Sequence, residues 1–519
     1  MATITNSSAG ILSVQPISYK VIFAAVVTIY ALYLFGLGIY RVYFDALSHY
    51  PGPKLAALTT WYQAYYDLYY HGQWFKKLGQ LHEQYGPIIR VNPHELHISD
   101  PNFIDILFTG ASKKRDKYKW LGRSILLPDS TGGTVHHDLH RKRRASLSPF
   151  FSKEKIRRLE PSIQRAVDNL LGRMSDCGAN EDVMPMSLVL RATTCDIITG
   201  YLFGKSAEYL TREDYNEDFF SSINAMFGMS WPHLTYISWL GAVLGCIPPS
   251  QWTKQIRDIR LSEDLKSNNS TVFHGILNGK LPPSEKSARR LRQEAQQLVL
   301  AGQDTTAQTV VAITFELLAC PDKLAKLKAE LASVFPDPDN ITSAVCERLP
   351  YLHAVVQEGI RLHPATLVRM TRVAPNQEMI YTNEKENREW VIKPGTPVSM
   401  TAFTIQNNPD IFPSPRKFEL ERWLDNPRLD KYLLSFFRGT RICLGLYIAY
   451  FELYLILEGI FRRYDRYDGT GKQSTPTLEL YDTIRERDID AVVDLVLPYP
   501  AVGSKGLRVM IRNKPQNTE

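Results

Sequence analysis

The stretch FFRGTRICLG at residues 436–445 places one cysteine in a glycine-rich loop, and the apolar, helix-like run LYIAYFELYLIL follows it. Backbone N–H groups at the start of such a helix can donate to the sulfur, which stabilises a thiolate over a thiol. Five fixed residues within ten positions make the pattern more specific than a lone glycine motif. It favours a cysteine kept as a ligand, with a buried structural thiol as the alternative. The residues that carry it are Phe436, Gly439, Arg441, Cys443 and Gly445.

The composition is that of a folded globular protein. The chain has 519 residues, of which 44% are hydrophobic and 22% are charged, and these proportions argue against disorder. The net charge of +7 comes from 61 basic and 54 acidic residues, too small an excess to suggest nucleic-acid binding. The cysteines form no CxxC pair and are typical of reduced thiols in a cytosol-facing protein. They are Cys177, Cys195, Cys246, Cys320, Cys346 and Cys443.

An uncharged segment near the N-terminus predicts a membrane anchor. Residues 21–40 read VIFAAVVTIYALYLFGLGIY, and a helix of this length spans about 30 Å, the thickness of a hydrocarbon core. A cleaved signal peptide is the alternative, but the apolar run is too long and no cleavage site follows it. Lys20 precedes the run, and Arg41, Lys54, Lys76 and Lys77 follow it, which places the long C-terminal part in the cytosol.

The anchor sets the predicted domain order. Residues 1–20 form a short luminal tail, in which Asn6 fits a glycosylation acceptor. Residues 21–40 form the transmembrane anchor. Residues 41–58 form a hinge stiffened by Pro51 and Pro53. Residues 59–519 contain no repeat or long linker and form one large domain.

Apolar periodicity in this domain predicts a mainly α-helical fold with a minor β-sheet region. Helices are expected at 74–85, 139–151, 153–174, 188–203 and 289–320, and strands at 88–91, 96–98, 390–392, 397–400 and 507–511. The stretch 284–320 has no proline and predicts one long helix that crosses the domain. Near its middle lies AGQDTTAQ, a run of small and polar residues at 301–308. Glycine permits close approach and threonine can bond back to an earlier carbonyl, so a helix could pass over a flat ligand here.

With these motifs in order, the chain resembles the cytochrome P450 family of haem-thiolate monooxygenases. The resemblance implies the P450 fold, haem b as cofactor, and Cys443 as the axial ligand of the haem iron. It implies that Arg441 pairs with a haem propionate and that Phe436 packs under the thiolate, with Gly439 and Gly445 at the loop's glycine positions. The stretches YGPIIRVNPHELHISDP, HRKRRASLSPFFS and SKGLRVMIR are similar to fungal secondary-metabolism members, the group that includes trichodiene oxygenase.

The resemblance also implies roles for residues far from the cysteine loop. AGQDTT matches the oxygen-activation motif, so Thr305 would donate to the oxygen substrate, Asp304 would relay protons and Ala301 would leave room over the haem. His140, Arg144 and Arg372 match propionate-binding positions, with His140 where the family often has tryptophan.

A second set of motif residues is expected to be structural. Glu358 and Arg361 form an E-x-x-R pair on one helix face, and the family joins them to an arginine, here Arg422. Leu420 stands where the family usually has proline, which predicts a less rigid loop.

The implied partners are O2, a lipophilic small molecule and a cytochrome P450 reductase that passes electrons from NADPH, with cytochrome b5 as an open alternative. The implied location is the endoplasmic reticulum membrane, with the catalytic domain in the cytosol. A basic surface of Arg141, Lys142, Arg143, Lys431 and Arg438 would dock the acidic electron donor. Aromatic residues of 219–252 favour an apolar access channel.

Two other functions stay open: a haem-dependent isomerase or dehydratase that needs no reductase, and a membrane-anchored binding protein without catalysis.

Overall fold

The computed structural model describes residues 18–122, 127–236, 271–279, 281–334 and 342–513, and omits the side chains of 121–122 and 229–234. Asn6, Cys246 and residues 237–252 of the aromatic stretch lie outside the described residues. The described part is mostly helical with small β-sheets, which confirms the predicted fold class.

One helix near the N-terminus is long and apolar enough to cross a membrane. Helix α1, Tyr19–Ile39, continues as a π-helical turn at Tyr40–Phe44. This span has a mean hydropathy of 2.2 and none of its residues is buried. Its exposure distinguishes it from a core helix and fits the predicted anchor.

The remaining helices that are described follow in chain order: α2 Lys54–Leu58, α3 Trp61–Ala64, α4 Trp74–Tyr85, α5 Ile104–Leu107, α6 Lys119–Gly122, α7 His137–Leu147, α8 Lys153–Arg157, α9 Glu160–Ala179, α10 Met186–Phe203, α11 Glu217–Tyr236, α12 Val272–Asn278, α13 Ala288–Ala319, α14 Pro321–Val334, α15 Ser343–Cys346, α16 Pro350–Leu362, α17 Ala402–Gln406, α18 Glu421–Asp425 and α19 Leu446–Arg463.

The strands are short and form four small sheets among the described residues. They are β1 Ile88–Asn92, β2 Glu95–Ile98, β3 Asp116–Lys117, β4 Val183–Met184, β5 Arg372–Val373, β6 Met379–Asn383, β7 Arg388–Ile392, β8 Pro397–Ser399, β9 Asp465–Arg466, β10 Thr477–Leu480, β11 Val493–Leu495, β12 Leu497–Tyr499 and β13 Val509–Arg512. One sheet has the order β1-β2-β8-β5-β3 and another β4-β13-β10-β9; β6-β7 and β11-β12 are hairpins. The antiparallel pairing of β3 and β5 sets Lys117 opposite Arg372.

The long predicted helix is present as α13, within one residue of the expected 289–320, and the first four residues of the proline-free stretch 284–320 lie before it. The Ser287 side chain accepts a hydrogen bond from the Arg290 N–H and caps the helix, while a 3-10 turn occupies Pro283–Lys286. The predicted helix 153–174 is wrong in one respect, because it divides into α8 and α9. Pro161 lies in the first turn of α9, where its fixed φ favours a new helix start.

Helix α13 runs through the main core and packs closely on two neighbours. A Cβ on Gly302 would lie 2.7 Å from Cγ1 of Ile198 in α10, so only glycine permits this approach. A Cβ on Gly359 of α16 would collide with Ile313 of α13. Close packing fixes the middle of α13 relative to α10 and α16, and that middle carries the AGQDTT motif.

Candidate active site

The cysteine loop is held in one shape by its backbone. The Cys443 N–H donates to the Phe436 carbonyl at 2.7 Å, which closes the loop. Gly439 has φ +67°, and a Cβ there would lie 2.5 Å from the carbonyl oxygen of Thr109 and 2.7 Å from that of Phe108. The positive φ and the close approach both require glycine at this position. The ring of Phe436 packs 5.2 Å from that of Tyr450 in α19, tilted by 31°, which helps to fix the start of the loop.

Two opposing effects act on the pKa of the Cys443 thiol. Burial raises its pKa, while a hydrogen bond from the Gly445 backbone N–H and the charge of Arg144 act to lower it. The N–H contribution is the one that the loop sequence predicts. A metal ion would outweigh the burial effect, because a coordinating thiol is deprotonated.

A group of buried and half-buried basic side chains lies near the cysteine loop. Arg441 donates to the carbonyls of Thr134 at 2.8 Å and Val135 at 2.7 Å. Arg372 donates to the carbonyl of Thr371 at 3.0 Å, and Lys117 to that of Gly132 at 2.8 Å. These cations therefore hydrogen-bond to neutral oxygens. With Arg144, and with His140 as the neutral member, they form the cation cluster: Lys117, His140, Arg144, Arg372 and Arg441.

The cluster is electrostatically unfavourable by itself. Burial and the neighbouring cations lower the pKa of Lys117 to about 7 and that of Arg372 to about 9. Burial lowers the pKa of Arg441 to about 10, even though Asp116 acts in the opposite direction. Burial and four cations hold the pKa of His140 well below its usual value. The Nε of Arg441 is buried and has no hydrogen-bond partner among the described residues. An anionic group with several oxygens would relieve both defects.

A flat group with two carboxylates, such as haem, therefore fits this site. The cysteine loop offers the thiol for the iron, and the cation cluster offers the charge for the two propionates. Sequence reasoning missed Lys117, because a single lysine in a two-residue strand belongs to no motif. The only signal that could have found it is the strand register that sets it opposite Arg372.

The AGQDTT segment presents its residues on different sides of α13. Ala301 is exposed and Thr305 half-exposed, and the Thr305 hydroxyl donates to the Ala301 carbonyl at 2.8 Å. Asp304 is buried, and its carboxylate accepts from Arg191 at 2.5 Å and from the Gln303 side chain at 3.2 Å. The hydrogen bonds of Thr305 and Asp304, the two predicted catalytic residues, therefore lead to different partners. Sequence reasoning missed Arg191, which lies 113 positions before Asp304.

Glu358, Arg361 and Arg422 meet in a buried network. Arg361 binds both carboxylate oxygens of Glu358 at 2.8 Å, and both side chains are fully buried. Arg422 lies 3.3 Å from the same carboxylate. The carboxylate also accepts from the Trp423 indole at 2.8 Å and from the Glu419 N–H at 2.9 Å. Leu420, the departure from the family pattern, is fully buried beside them.

The same network reaches the cysteine loop through Gln406. Arg361 donates to the Gln406 backbone carbonyl at 2.9 Å. The Gln406 side-chain oxygen accepts from the Leu434 N–H at 2.8 Å and from the Ser435 hydroxyl at 3.1 Å. Ser435 directly precedes Phe436. The ion pair on α16 therefore supports the loop through a single intermediate side chain.

The expected basic docking surface is only partly present. Arg141, Lys142 and Lys431 are exposed. Arg143 was expected on this surface, and that prediction is wrong: its guanidinium is buried and binds Glu285 at 2.8 and 3.0 Å and Thr134 at 2.9 Å. Arg438 is half-buried and donates to the Asp430 carbonyl at 2.6 Å.

Comparison with known proteins identifies the class of the site. The cytochrome P450 family model matches residues 51–481. The cytochrome P450 monooxygenase tpcC of Cochliobolus heterostrophus is 39% identical over 92% of this chain and 94% of its own length. The monooxygenase sdnE of Sordaria araneosa is 37% identical over 93% of this chain and 96% of its own. The tryptophan 6-hydroxylase fscE of Fusarium equiseti is 35% identical over 94% and 97% respectively.

These matches and the thiol-and-cation site define a haem monooxygenase, an oxidoreductase that uses O2 and a small-molecule substrate. The chain belongs to the cytochrome P450 family. The family resemblance stated from the motifs is thereby confirmed.

Proposed function

We propose that this protein hydroxylates or epoxidises a lipophilic secondary-metabolite intermediate, of terpenoid or polyketide type, with electrons that NADPH supplies through a reductase. The observation that carries the proposal is the closed cysteine loop near four basic side chains, Lys117, Arg144, Arg372 and Arg441, which surround the neutral imidazole of His140. The exposed apolar helix α1 supports a lipophilic substrate, because a membrane anchor brings the enzyme to the phase in which such substrates dissolve. We propose the endoplasmic reticulum membrane as its location, with residues after Phe44 in the cytosol.

In this proposal each site residue has a distinct task. Cys443 Sγ would bind the iron and the cation cluster would bind the propionates. When bound, the haem supplies oxygen activation, which a thiolate ligand favours by donating electron density. Thr305 Oγ1 would turn from the Ala301 carbonyl to donate a proton toward the oxygen substrate. Asp304 would pass that proton from water once its carboxylate leaves Arg191.

Replacing the ligand and the hydroxyl tests these assignments. Cys443→Ala is expected to lose the haem-thiolate absorption of the reduced, carbon monoxide-treated protein. Thr305→Ala is expected to keep that absorption but to consume NADPH with less product. A fully coupled Thr305→Ala variant would contradict the proton-relay assignment, and a Cys443→Ala variant with the wild-type spectrum would contradict the ligand assignment.

The reaction itself is tested by co-expression with a reductase in a host supplied with terpenes, polyketides and indoles. Indoles are included because one relative is named a tryptophan 6-hydroxylase. Mass spectrometry is expected to detect a product that has gained one oxygen atom. A second arm without the reductase provides the control. Turnover in that arm without oxygen gain would select the isomerase or dehydratase instead.

Charge reversal tests the proposed docking of the reductase. Arg141→Glu and Lys431→Glu are expected to slow reduction about tenfold at low salt, because complementary charge mainly sets the rate of encounter. Substrate binding should be unchanged, since both side chains are exposed. Lys472→Glu, at another exposed lysine, is the matched control. Equal reduction rates in all three variants would exclude this surface.

A further inference from the structure

Two carboxylates outside the proposed haem site lie close together. Asp67 belongs to the π-helical turn Tyr65–Tyr69 and Asp494 to β11. Gly72 joins the two segments, because its N–H donates to the Asp67 carbonyl at 2.9 Å and its carbonyl accepts from the Asp494 N–H at 3.0 Å. A side chain at Gly72 would collide with the Asp494 backbone. This backbone contact holds Asp67 and Asp494 next to each other. We call the surface that they form the acidic wall.

The nearby cation is already neutralised. Arg369 binds Glu95 through two hydrogen bonds of 3.1 and 3.2 Å, and both side chains are buried. Among the described residues, Arg369 is the one cation that acts on Asp67 and Asp494, and burial raises the pKa of both carboxyl groups. Asp67 accepts from the Tyr236 hydroxyl at 2.5 Å, and Asp494 accepts from the Val496 N–H at 3.0 Å.

A third acceptor lies beside them without a donor. Gln63 is 4% exposed, and its amide nitrogen donates to Asp67 at 2.9 Å. The oxygen of the same amide is buried and has no hydrogen-bond partner among the described residues. A buried acceptor without a donor is unfavourable, so this group of oxygens calls for a ligand that donates hydrogen bonds and carries positive charge.

Aromatic rings complete one side of this wall. The ring of Tyr236 lies 6.4 Å from that of Trp61 and 5.6 Å from that of Trp120. Aromatic faces attract cations and also accommodate apolar groups. The carboxylates and the rings together fit an apolar molecule with a basic nitrogen.

The wall is linked to the haem side of the molecule. Arg369, beside the two carboxylates, and Arg372 of the cation cluster lie three residues apart on one segment, in which the Thr371 N–H donates to the Arg369 carbonyl at 3.0 Å. The Val496 carbonyl, in the hairpin of Asp494, accepts from the Thr366 hydroxyl at 3.3 Å. Tyr236 closes α11, which begins the stretch expected to line the access channel.

We propose that Asp67, Asp494 and Gln63 form an ammonium-binding subsite, so that the substrate is an apolar molecule that carries a protonated amine. The inference rests on the proposed function, because it places this subsite beside the oxygenation site. Burial and Asp67 raise the pKa of Asp494 to about 7, and a bound cation would favour its ionised form.

The test compares two ligands of the same shape with the full-length holoenzyme in detergent. N,N-dimethyloctylamine is protonated at neutral pH, and 2-methyldecane is its neutral isostere. Equilibrium dialysis is expected to show the amine binding about tenfold more tightly than the isostere, the value of one charge-assisted contact. Asp67→Asn and Asp494→Asn should each reduce amine binding by about the same factor and leave isostere binding unchanged. Asp468→Asn, at an exposed carboxylate, is the matched control.

The outcomes separate this inference from the proposed function. Equal binding of the two ligands to the wild-type protein would overturn the subsite, whether or not the variants fold. An amine preference that survives both Asn variants would also overturn it, since an amine bound at the iron behaves in this way. Oxygenation of neutral substrates without any amine preference would remove the subsite and leave the oxygenase. An amine preference without oxygenation in any arm would keep the subsite and remove the proposed reaction.

Discussion

At the scale of single residues, the position of Lys117 leads to a prediction about haem retention. Its side chain is half-buried, and burial lowers the pKa of its ammonium to about 7, with further contributions from Arg441 and Arg372. Lys117→Met should therefore weaken haem retention, because one charge-assisted contact to a propionate is lost. Haem transfer to excess apomyoglobin is expected to be about tenfold faster, the effect of losing a charged hydrogen bond.

Lys113→Met is the matched control for this prediction, because Lys113 lies in the same chain segment and is exposed. It should transfer haem at the wild-type rate. Equal rates for Lys117→Met and the wild-type protein would mean that Lys117 does not contact the cofactor and that the remaining cluster suffices.

At the scale of elements, the Glu358 network should behave as one unit. Glu358→Gln removes the charge that Arg361 and Arg422 share, and both guanidiniums stay buried. Breaking a buried pair by removing one partner costs about 3–5 kcal/mol. We expect a free energy of unfolding lower by that amount in urea titrations. We also expect reduced haem content, because the shift of Arg361 reaches Leu434 through Gln406.

Glu154→Gln provides the comparison at the surface. Its i,i+4 pair with Arg158 is exposed on both sides, and such pairs contribute little to stability. We expect its unfolding curve and haem content to match those of the wild-type protein. A Glu358→Gln variant with the same behaviour would contradict the linkage between α16 and the cysteine loop.

The elements also show where sequence reasoning succeeds and where it ends. Helix α4 lies at the predicted residues 74–85, because its amphipathic pattern is local and Gly86 ends it. The cysteine loop and AGQDTT could be found because their chemistry is written in consecutive residues. Arg143 was misplaced because its partner, Glu285, is 142 positions away. Arg191 escaped notice for the same reason, since its pairing with Asp304 depends on the packing of α10 against α13.

At the scale of the whole molecule, the segment that contains Arg369 and Arg372 adjoins two groups of charged side chains of opposite sign. Arg372 belongs to a cation cluster that calls for an anionic cofactor, and Arg369 lies beside carboxylates that call for a cation. Buried charges are stable only when they are paired. We therefore expect bound ligands to neutralise both groups of charged side chains.

The chain that follows the predicted anchor is held on the domain by hydrogen bonds to a buried arginine. Helix α1 buries none of its residues, whereas the chain just after it is tied to the domain. Arg90 is 2% exposed, and it donates to the Arg41 carbonyl at 2.7 Å and to the Asp45 carboxylate at 3.1 Å. Arg41 in turn donates to the Leu58 carbonyl at 2.6 Å. The predicted hinge is therefore docked on the domain from its first residues.

Two truncations separate anchor from domain. Deleting residues 1–39 should abolish sedimentation with membranes and leave the thermal midpoint and haem spectrum unchanged, because none of the residues that the structure describes between 18 and 39 is buried. Deleting residues 1–46 also removes Arg41 and Asp45 and leaves the buried Arg90 without its carboxylate, at a cost of about 1–3 kcal/mol. Its midpoint should fall, and Asp45→Asn in the shorter truncation should reproduce much of that loss. Equal midpoints for the two truncations would show that Arg90 does not need Asp45, so that the domain begins after the hinge.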